Sequence, residues 1–400
     1  MRAKILVLGA NFGGLTGAIA VKRELRELAD VTVLGDRDHF LFSPSLIWLP
    51  FGKRDRAGIT FPVGPTLEAA GVEFRRDAAT LIDPRAHTVR TASGRVHPYD
   101  HLLIATGARE SLDAVDGLAE NSHTITSLDG AIRTGEAWRR FREDPGEVVI
   151  GATQGASCFG AAYEFLFNTA YQLRRAGLKK QTRITYVTAE PFLGHFGIGG
   201  LPHGEQLLGM FLKKENIAAR TNTAIAAVDD GAVVTTDGSK IPFSFAMIVP
   251  PFAGQEFLTA TPGLTNPAGF VEVRDTYQTL LWDDVYAVGL AAAVQAPWTT
   301  PTPVGVPKTG LPTEQMAHVA ARNIAAQVMG GAPAAHKSFG EIPAVCVMDA
   351  GNNGVLILAD RMLPPRKHGV LVPGPQNHAF KLAFEKYYLW KMRAGHVGLP

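Results

Sequence analysis

An apolar run, Val148-Val149-Ile150, opens directly into Gly151-Ala-Thr-Gln-Gly-Ala-Ser-Cys158, and a helical pattern follows at Tyr163-Glu164-Phe165. Strand, glycine-rich loop, helix is the layout of a dinucleotide-binding turn. A cysteine is out of place there, because a phosphate calls for small residues and bare backbone N–H groups. The chain has one other cysteine, Cys346. Two cysteines exclude a disulfide-stapled secreted scaffold. They leave open either a redox pair or two unrelated buried thiols.

The same layout stands at the start of the chain. Lys4-Ile-Leu-Val-Leu8 reads as a buried parallel strand, Gly9-Ala-Asn-Phe-Gly-Gly14 as a phosphate turn, and Leu15, Ala18, Ile19, Val21 and Leu25 as one helix face. A second strand, Val31-Thr-Val-Leu34, completes a βαβ unit whose helix N-terminus offers N–H groups and positive dipole to a pyrophosphate. Asn11 replaces the middle glycine, and Asn tolerates left-handed dihedrals better than most residues. Gly35 stands where a ribose-binding acid often sits, so Asp36 is the nearest candidate; it reads equally well as a solvated loop residue.

Between and after these units the pattern continues. Residues 39–65 are rich in aromatics and proline, which suits either a packed loop or a wall beside a planar ring. Tyr99–Gly107 reads as a strand ending in Ala105-Thr106-Gly107, an ending that lets backbone approach a bound dinucleotide. Residues 146–265 give a second dinucleotide-type fold: a helix from about 159 to 176, a strand at 183–188 with Glu190 just beyond, a helix at about 204–215, and a hairpin signal at Asp237-Gly238. Val285–Gly289 and a helix from about Thr313 to Val328 return to the first domain. The fold expected is α/β with two Rossmann-like domains. Residues 1–110 and 270–360 make a discontinuous dinucleotide-binding domain, 111–269 a second domain carrying Cys158, and 361–400 a C-terminal segment.

At 46% hydrophobic and 19% charged residues the chain is globular, and a net charge of +2 gives no reason to expect nucleic acid. No run reaches the roughly 18 apolar residues of a spanning helix. The N-terminus enters a strand at once, so no signal peptide is expected. In the tail, Phe380, Phe384, Tyr387, Tyr388 and Trp390 interleave with Lys381, Lys386, Lys391 and Arg393. This suits an amphipathic helix in a membrane interface, with cations in the headgroups and aromatics below. A helix docked on the domain, or a dimer contact, fits the same residues.

Taken in order, these stretches resemble the sulfide:quinone oxidoreductases, monotopic flavoproteins of the disulfide-reductase superfamily. The resemblance runs over nearly the whole chain and is carried by Gly9–Gly14, Ala105–Gly107, Gln154–Cys158 with Tyr163-Glu164, Glu190-Pro-Phe-Leu-Gly-His195, Thr300–Gly310, Ala344-Val-Cys346 and Phe384–Leu389. It implies sulfide attack on a Cys158–Cys346 redox pair, with two electrons passing through FAD to a membrane quinone. It implies a peripheral membrane location through the C-terminal segment; a homo-oligomer is left open. FAD would be held, without a covalent bond, by Gly9, Asn11, Gly13, Gly14, Asp36, Pro44, Ala105, Thr106, Gly107, Gly289, Lys308, Thr309 and Gly310. Glu164 would accept protons and His195 relay them, Lys308 would face the flavin, and Phe384 and Tyr388 would line the quinone pocket. Each also has an ordinary reading as surface or packing residue. No metal site is expected.

The resemblance is incomplete at one place. Thr126 stands where the family's most studied members carry a third cysteine, and Gly130 where they carry a histidine just after it. Three other readings stay open: a type II NADH:quinone dehydrogenase with Glu190 on a ribose, a flavocytochrome c-type sulfide dehydrogenase subunit, and a non-catalytic sulfur-binding flavoprotein.

Overall fold

The buried runs of Val, Ile and Leu become the central strands of two parallel sheets. A computed structural model describes residues 2–399. In the first sheet the strand order is Val285–Ala287, His101–Ile104, Ala3–Leu8, Ala29–Gly35, Glu73–Arg76, every pair parallel. In the second it is Ile217–Arg220, Ile184–Thr188, Val148–Ala152, Phe245–Val249, again all parallel. Strands buried on both faces need no polar alternation, which is why these segments read as continuous apolar runs. A short antiparallel pair, Arg109–Glu110 with Phe252–Ala253, ties the two crossing points between the sheets.

Helices run from Phe12 to Leu25 and from Phe159 to Arg175, as the apolar periodicity predicts. The helix expected from about Thr313 starts earlier and spans Gly310–Val328, with Thr309 as its N-cap residue. It lies against the Phe12–Leu25 helix, so both N-termini reach the same end of the first sheet. Asn11 differs from expectation in conformation. Its φ is −100°, while Gly9 takes the left-handed value of +98°. The Asn11 side chain instead accepts a hydrogen bond from the Leu41 N–H at 3.2 Å, fastening the turn to the aromatic loop.

The boundary at residue 360 does not match the architecture. Ala344–Asp349, Gly354–Ala359 and Gly369–Gly374 form one antiparallel sheet, and a cut at 360 would separate two hydrogen-bonded strands. This sheet packs with the tail helix Gln376–Arg393 into one C-terminal unit that carries Cys346.

Buried charge fastens that unit. Lys391 is fully buried, and its Nζ donates to Glu314 Oε2 on the Gly310–Val328 helix at 2.6 Å. Beyond the helix, Arg23 donates to Gly395 O at 2.7 Å, and Thr66 Oγ1 donates to Arg393 O at 2.8 Å. Lys381 is also buried, in an ion pair with Glu164. Placing these two lysines among lipid headgroups is therefore incorrect; only Lys386 and Arg393 of the four tail cations are exposed.

Removing one partner of a buried pair strands the other charge. Lys391→Met is expected to lower unfolding stability by about 3–5 kcal/mol, read from urea denaturation. The double variant Lys391→Met/Glu314→Leu should recover much of that loss. Additive losses in the two single variants would contradict the pairing.

Candidate functional site

The first site is a cradle at the C-terminal end of the first sheet. A Cβ on Gly9 would come within 2.4 Å of Ala105 O, and one on Gly14 within 1.8 Å of Gly9 O, so neither position admits a side chain. Gly13 and Gly289 both abut Thr313, which brings the two helix starts together. Two helix N-termini converging beside bare backbone suit the pyrophosphate of a dinucleotide. Ala105, Thr106 and Gly107 continue the wall. Gly107 borders open space, and the buried Thr106 hydroxyl has no hydrogen-bond partner, as expected of a wall that meets a ligand. Pro44 opens the turn Ser43–Trp48, and Asp36 lies exposed just past its strand.

Lys308 is not a surface lysine. Its Nζ donates to Leu290 O at 3.2 Å and Ala292 O at 2.5 Å and stands 4.2 Å from the centre of the Phe270 ring. Burial without an anionic partner pulls its pKa down to about 7. Thr309 and Gly310 follow at the helix start, with Gly310 tight against the Phe12 ring.

The second glycine loop has no such opening. The Gly155 N–H donates to Pro303 O at 2.7 Å, and the Gly305 N–H donates to Ala156 O at 2.8 Å. Gln154 bonds Ile225 in both directions at 3.0 Å. Glu190 is fully buried. It accepts from Tyr163, Thr188 and Tyr186 hydroxyls at 3.0, 3.0 and 3.3 Å and from the Phe196 N–H at 2.7 Å. A carboxylate so enclosed is not presented to a ribose, which removes the main support for the NADH reading.

Cys158 ends this loop as the N-cap residue of the Phe159–Arg175 helix. Helix position alone favours a lowered thiol pKa. Here burial dominates and pushes it up to about 11, against the Ala161 N–H, which lowers it. Cys346 presents accessible surface, yet its crowded recess pushes its pKa to about 12. The charges of Glu164 and Lys381 act on both thiols, and Cys158 acts on Cys346. Two cysteines far apart in sequence thus feel the charges of one ion pair, and Cys158 acts on Cys346.

Glu164 is buried rather than a surface residue. Its Oε1 accepts from Lys381 Nζ and from the Asp349 N–H, the latter at 2.6 Å. Desolvation raises its pKa to about 7, with Lys381 opposing. The Asp349 carboxylate accepts from Trp48 Nε1 at 2.8 Å and Asn168 Nδ2 at 2.9 Å, and it meets His378 Nδ1 at 2.5 Å. Sequence reasoning missed Lys381, Asp349 and His378 as site residues. A usable trace existed: Asn377, Lys381, Glu385, Tyr388 and Met392 recur at helical spacing, and all five are buried.

His195 lies elsewhere. Its ring stands edge-on to Phe192 and Trp298, and burial together with the charge of Arg366 lowers its pKa to about 4. Phe384 and Tyr388 join Phe12, Phe40 and Phe42 in an aromatic cluster that adjoins Gly310. Tyr388 is buried within it, and Phe384 is half-buried at its edge.

Glu190 provides a pH test. Burial raises its pKa to about 7, so between the ordinary carboxylate value and about 7 the folded state binds more protons than the unfolded one. Stability then falls as pH rises through that window. Wild type should lose stability relative to Glu190→Gln between about pH 4.5 and about pH 7, measured by urea midpoints. A difference independent of pH would show that Glu190 does not titrate this way.

Residues 3–321 match the model of the pyridine nucleotide-disulphide oxidoreductase family. A sulfide-quinone reductase of Aquifex aeolicus is 35% identical over 99% of this chain and 93% of its own length. The crystal structure of the sulfide:quinone oxidoreductase from that bacterium superposes with a TM-score of 0.95 at 34% identity, covering 100% of this chain and 93% of that one. An NADH dehydrogenase-like protein of Mycobacterium tuberculosis is 26% identical over 73% of each chain. The chain, with its dinucleotide cradle, belongs to the pyridine nucleotide-disulphide oxidoreductase family, in its sulfide:quinone oxidoreductase branch.

Proposed function

We infer that this protein oxidises sulfide at Cys158 and Cys346 and delivers the electrons, through FAD in the first-domain cradle, to a quinone. The observation that carries the reading is that one buried ion pair, Glu164–Lys381, acts by its charges on both thiols. Bound FAD would supply the two-electron carrier, with Gly9–Gly14 and the Gly310 helix start at its phosphates and Lys308 offering a cation.

The protein's own groups account for the proton chemistry. With pKa values near 11 and 12, both thiols keep their protons at neutral pH when reduced. Thiolate formation therefore needs an acceptor, and Glu164, at about 7, is the carboxylate beside them. When the pair is oxidised, hydrosulfide adds to one sulfur, the S–S bond breaks, and the other sulfur leaves as thiolate. Lys381 stabilises that thiolate by its charge. The Thr126 hydroxyl donates to Glu110 and offers no sulfur, which supports a two-cysteine cycle with FAD held without a thioether there.

The membrane contact fits the C-terminal unit. Val345, Leu358 and Val370 lie across from one another on neighbouring strands; all three are exposed, as is Val372 one pair further on. Phe380 and Trp390 of the tail helix are exposed as well. An apolar face of this kind supports peripheral association beside the aromatic cluster where a quinone would enter. Among the described residues no helix is long and apolar enough to cross a membrane.

Anaerobic mixing of the FAD-loaded protein with sulfide is expected to bleach the flavin, whereas NADH leaves it oxidised. Cys158→Ser and Cys346→Ser should each abolish bleaching while retaining FAD. Rapid bleaching by NADH alone would refute the reading, and intact sulfide bleaching in Cys158→Ser would refute the disulfide role.

A further inference from the structure

Three segments of the site converge on one buried carboxylate, Asp349. It ends the strand Ala344–Asp349, three residues after Cys346, and is 1% exposed. Its Oδ2 accepts from Trp48 Nε1 at 2.8 Å, from Asn168 Nδ2 at 2.9 Å and from the Gly351 N–H at 3.2 Å. Its Oδ1 meets His378 Nδ1 at 2.5 Å. Trp48 belongs to the turn Ser43–Trp48, Asn168 to the helix that Cys158 caps, and His378 to the tail helix. The main chain adds two bonds to the cysteine helix. The Asp349 N–H donates to Glu164 Oε1 at 2.6 Å, and the Asp349 carbonyl accepts from Asn168 Nδ2 at 3.1 Å.

We propose that Asp349 is the positioning residue of the thiol site: it fixes the Cys346 strand to the cysteine helix and keeps Glu164, by contact and by charge, as the base for the thiols. The proposal rests on the reading of Cys158 and Cys346 as the sulfide-oxidising pair. The step it serves is the passage of a thiol proton to the Glu164 carboxylate, which leaves a thiolate and a neutral carboxyl.

Contact and charge do different things. The Asp349 N–H reaches the same Glu164 oxygen as Lys381 Nζ, so the carboxylate is gripped from two sides. Both donors favour the ionised form and weaken Glu164 as a proton acceptor. The Asp349 charge works against them. Burial alone would raise the Asp349 pKa, but the bonds from Trp48, His378 and Asn168 and the charge of Lys381 outweigh it and hold the group below its ordinary value. Asp349 therefore stays anionic, and its charge adds to desolvation in raising Glu164. The groups facing Glu164 are Lys381 from the tail helix, Asp349 and Cys346 from the C-terminal strand, and Cys158 at the head of its own helix. Around Asp349 stand His378, Lys381 and Lys53, whose amine bonds Asn168 Oδ1 at 3.1 Å.

Two variants separate charge from contact. Asp349→Asn is nearly isosteric: an amide oxygen in place of Oδ2 keeps its three donors, and the amide nitrogen faces His378 Nδ1 in the other tautomer. Trp48→Phe keeps the charge and removes one donor. FAD-loaded wild type and both variants are mixed anaerobically with sulfide across the neutral pH range, and flavin bleaching is timed; sulfide ionises alike in all three. A base works in its ionised form, so the rate rises with pH through the Glu164 pKa. Asp349→Asn should move that rise to lower pH, at a urea midpoint close to that of wild type. Trp48→Phe should slow bleaching and leave the rise where it is. A folded Asp349→Asn protein with the wild-type pH profile would overturn the proposal while leaving the sulfide reading intact. If Asp349→Asn does not fold, a wild-type rate in Trp48→Phe overturns it instead. A wild-type flavin that sulfide fails to bleach would defeat both the proposal and the sulfide reading.

Discussion

The contact between Lys381 and Glu164 ties the tail helix to the helix that begins at Cys158. Cys158 belongs to the second Rossmann half and Cys346 to the C-terminal sheet, and neither element carries the other. The two elements meet directly, through the Asp349 N–H on Glu164 and Asn168 on Asp349, and the tail helix adds Lys381 on Glu164 and Lys391 on Glu314. Buried ion pairs are weak evidence of stability, because desolvation offsets much of the attraction. They are better at fixing position, since a charge with one available partner has one place to go. A tail held only by apolar packing could slide by a turn at little cost. A tail held by two buried lysines cannot.

The second Rossmann half shows how a nucleotide fold can be emptied of its nucleotide. The strand, loop and helix remain, but the loop's Gly155 N–H is spent on Pro303 O, and its Ala156 carbonyl accepts from the Gly305 N–H. Glu190 is saturated by three hydroxyls and a backbone N–H. The segment between residues 300 and 308 thus does two things. It covers the second loop, and it delivers Lys308, Thr309 and Gly310 to the first cradle. Closing one dinucleotide site and completing the other follow from the same stretch of chain.

Much of the architecture was legible because it is periodic. Both glycine turns, the two parallel sheets and the helix at Phe159 follow from apolar runs broken by glycine. The recess was legible only through the resemblance, since spacing says nothing of where Cys346 lies relative to Cys158. The tail misled for a physical reason. Lysines among aromatics suit both a headgroup layer and a buried ion pair, and the choice is made by Glu164 and Glu314, far away in sequence. Asp349 and His378 stayed hidden for the same reason: a buried carboxylate is recognised by its donors, and those come from Trp48, Asn168 and the tail.

Helix position and burial pull Cys158 in opposite directions, and the outcome shapes the chemistry. A thiol at a helix start is commonly activated by dipole and by nearby cations. Here desolvation wins, and the reduced pair stays protonated in its recess. Such a pair would be inert if it had to find its own base in water. Glu164 lies beside both sulfurs, shifted toward neutrality by the same burial that raises the thiols. Burial therefore moves the thiols and the carboxyl in the same direction. The lysine that closes the recess also neutralises the carboxylate after it gives up its proton, so the site need not hold an unpaired charge at any stage.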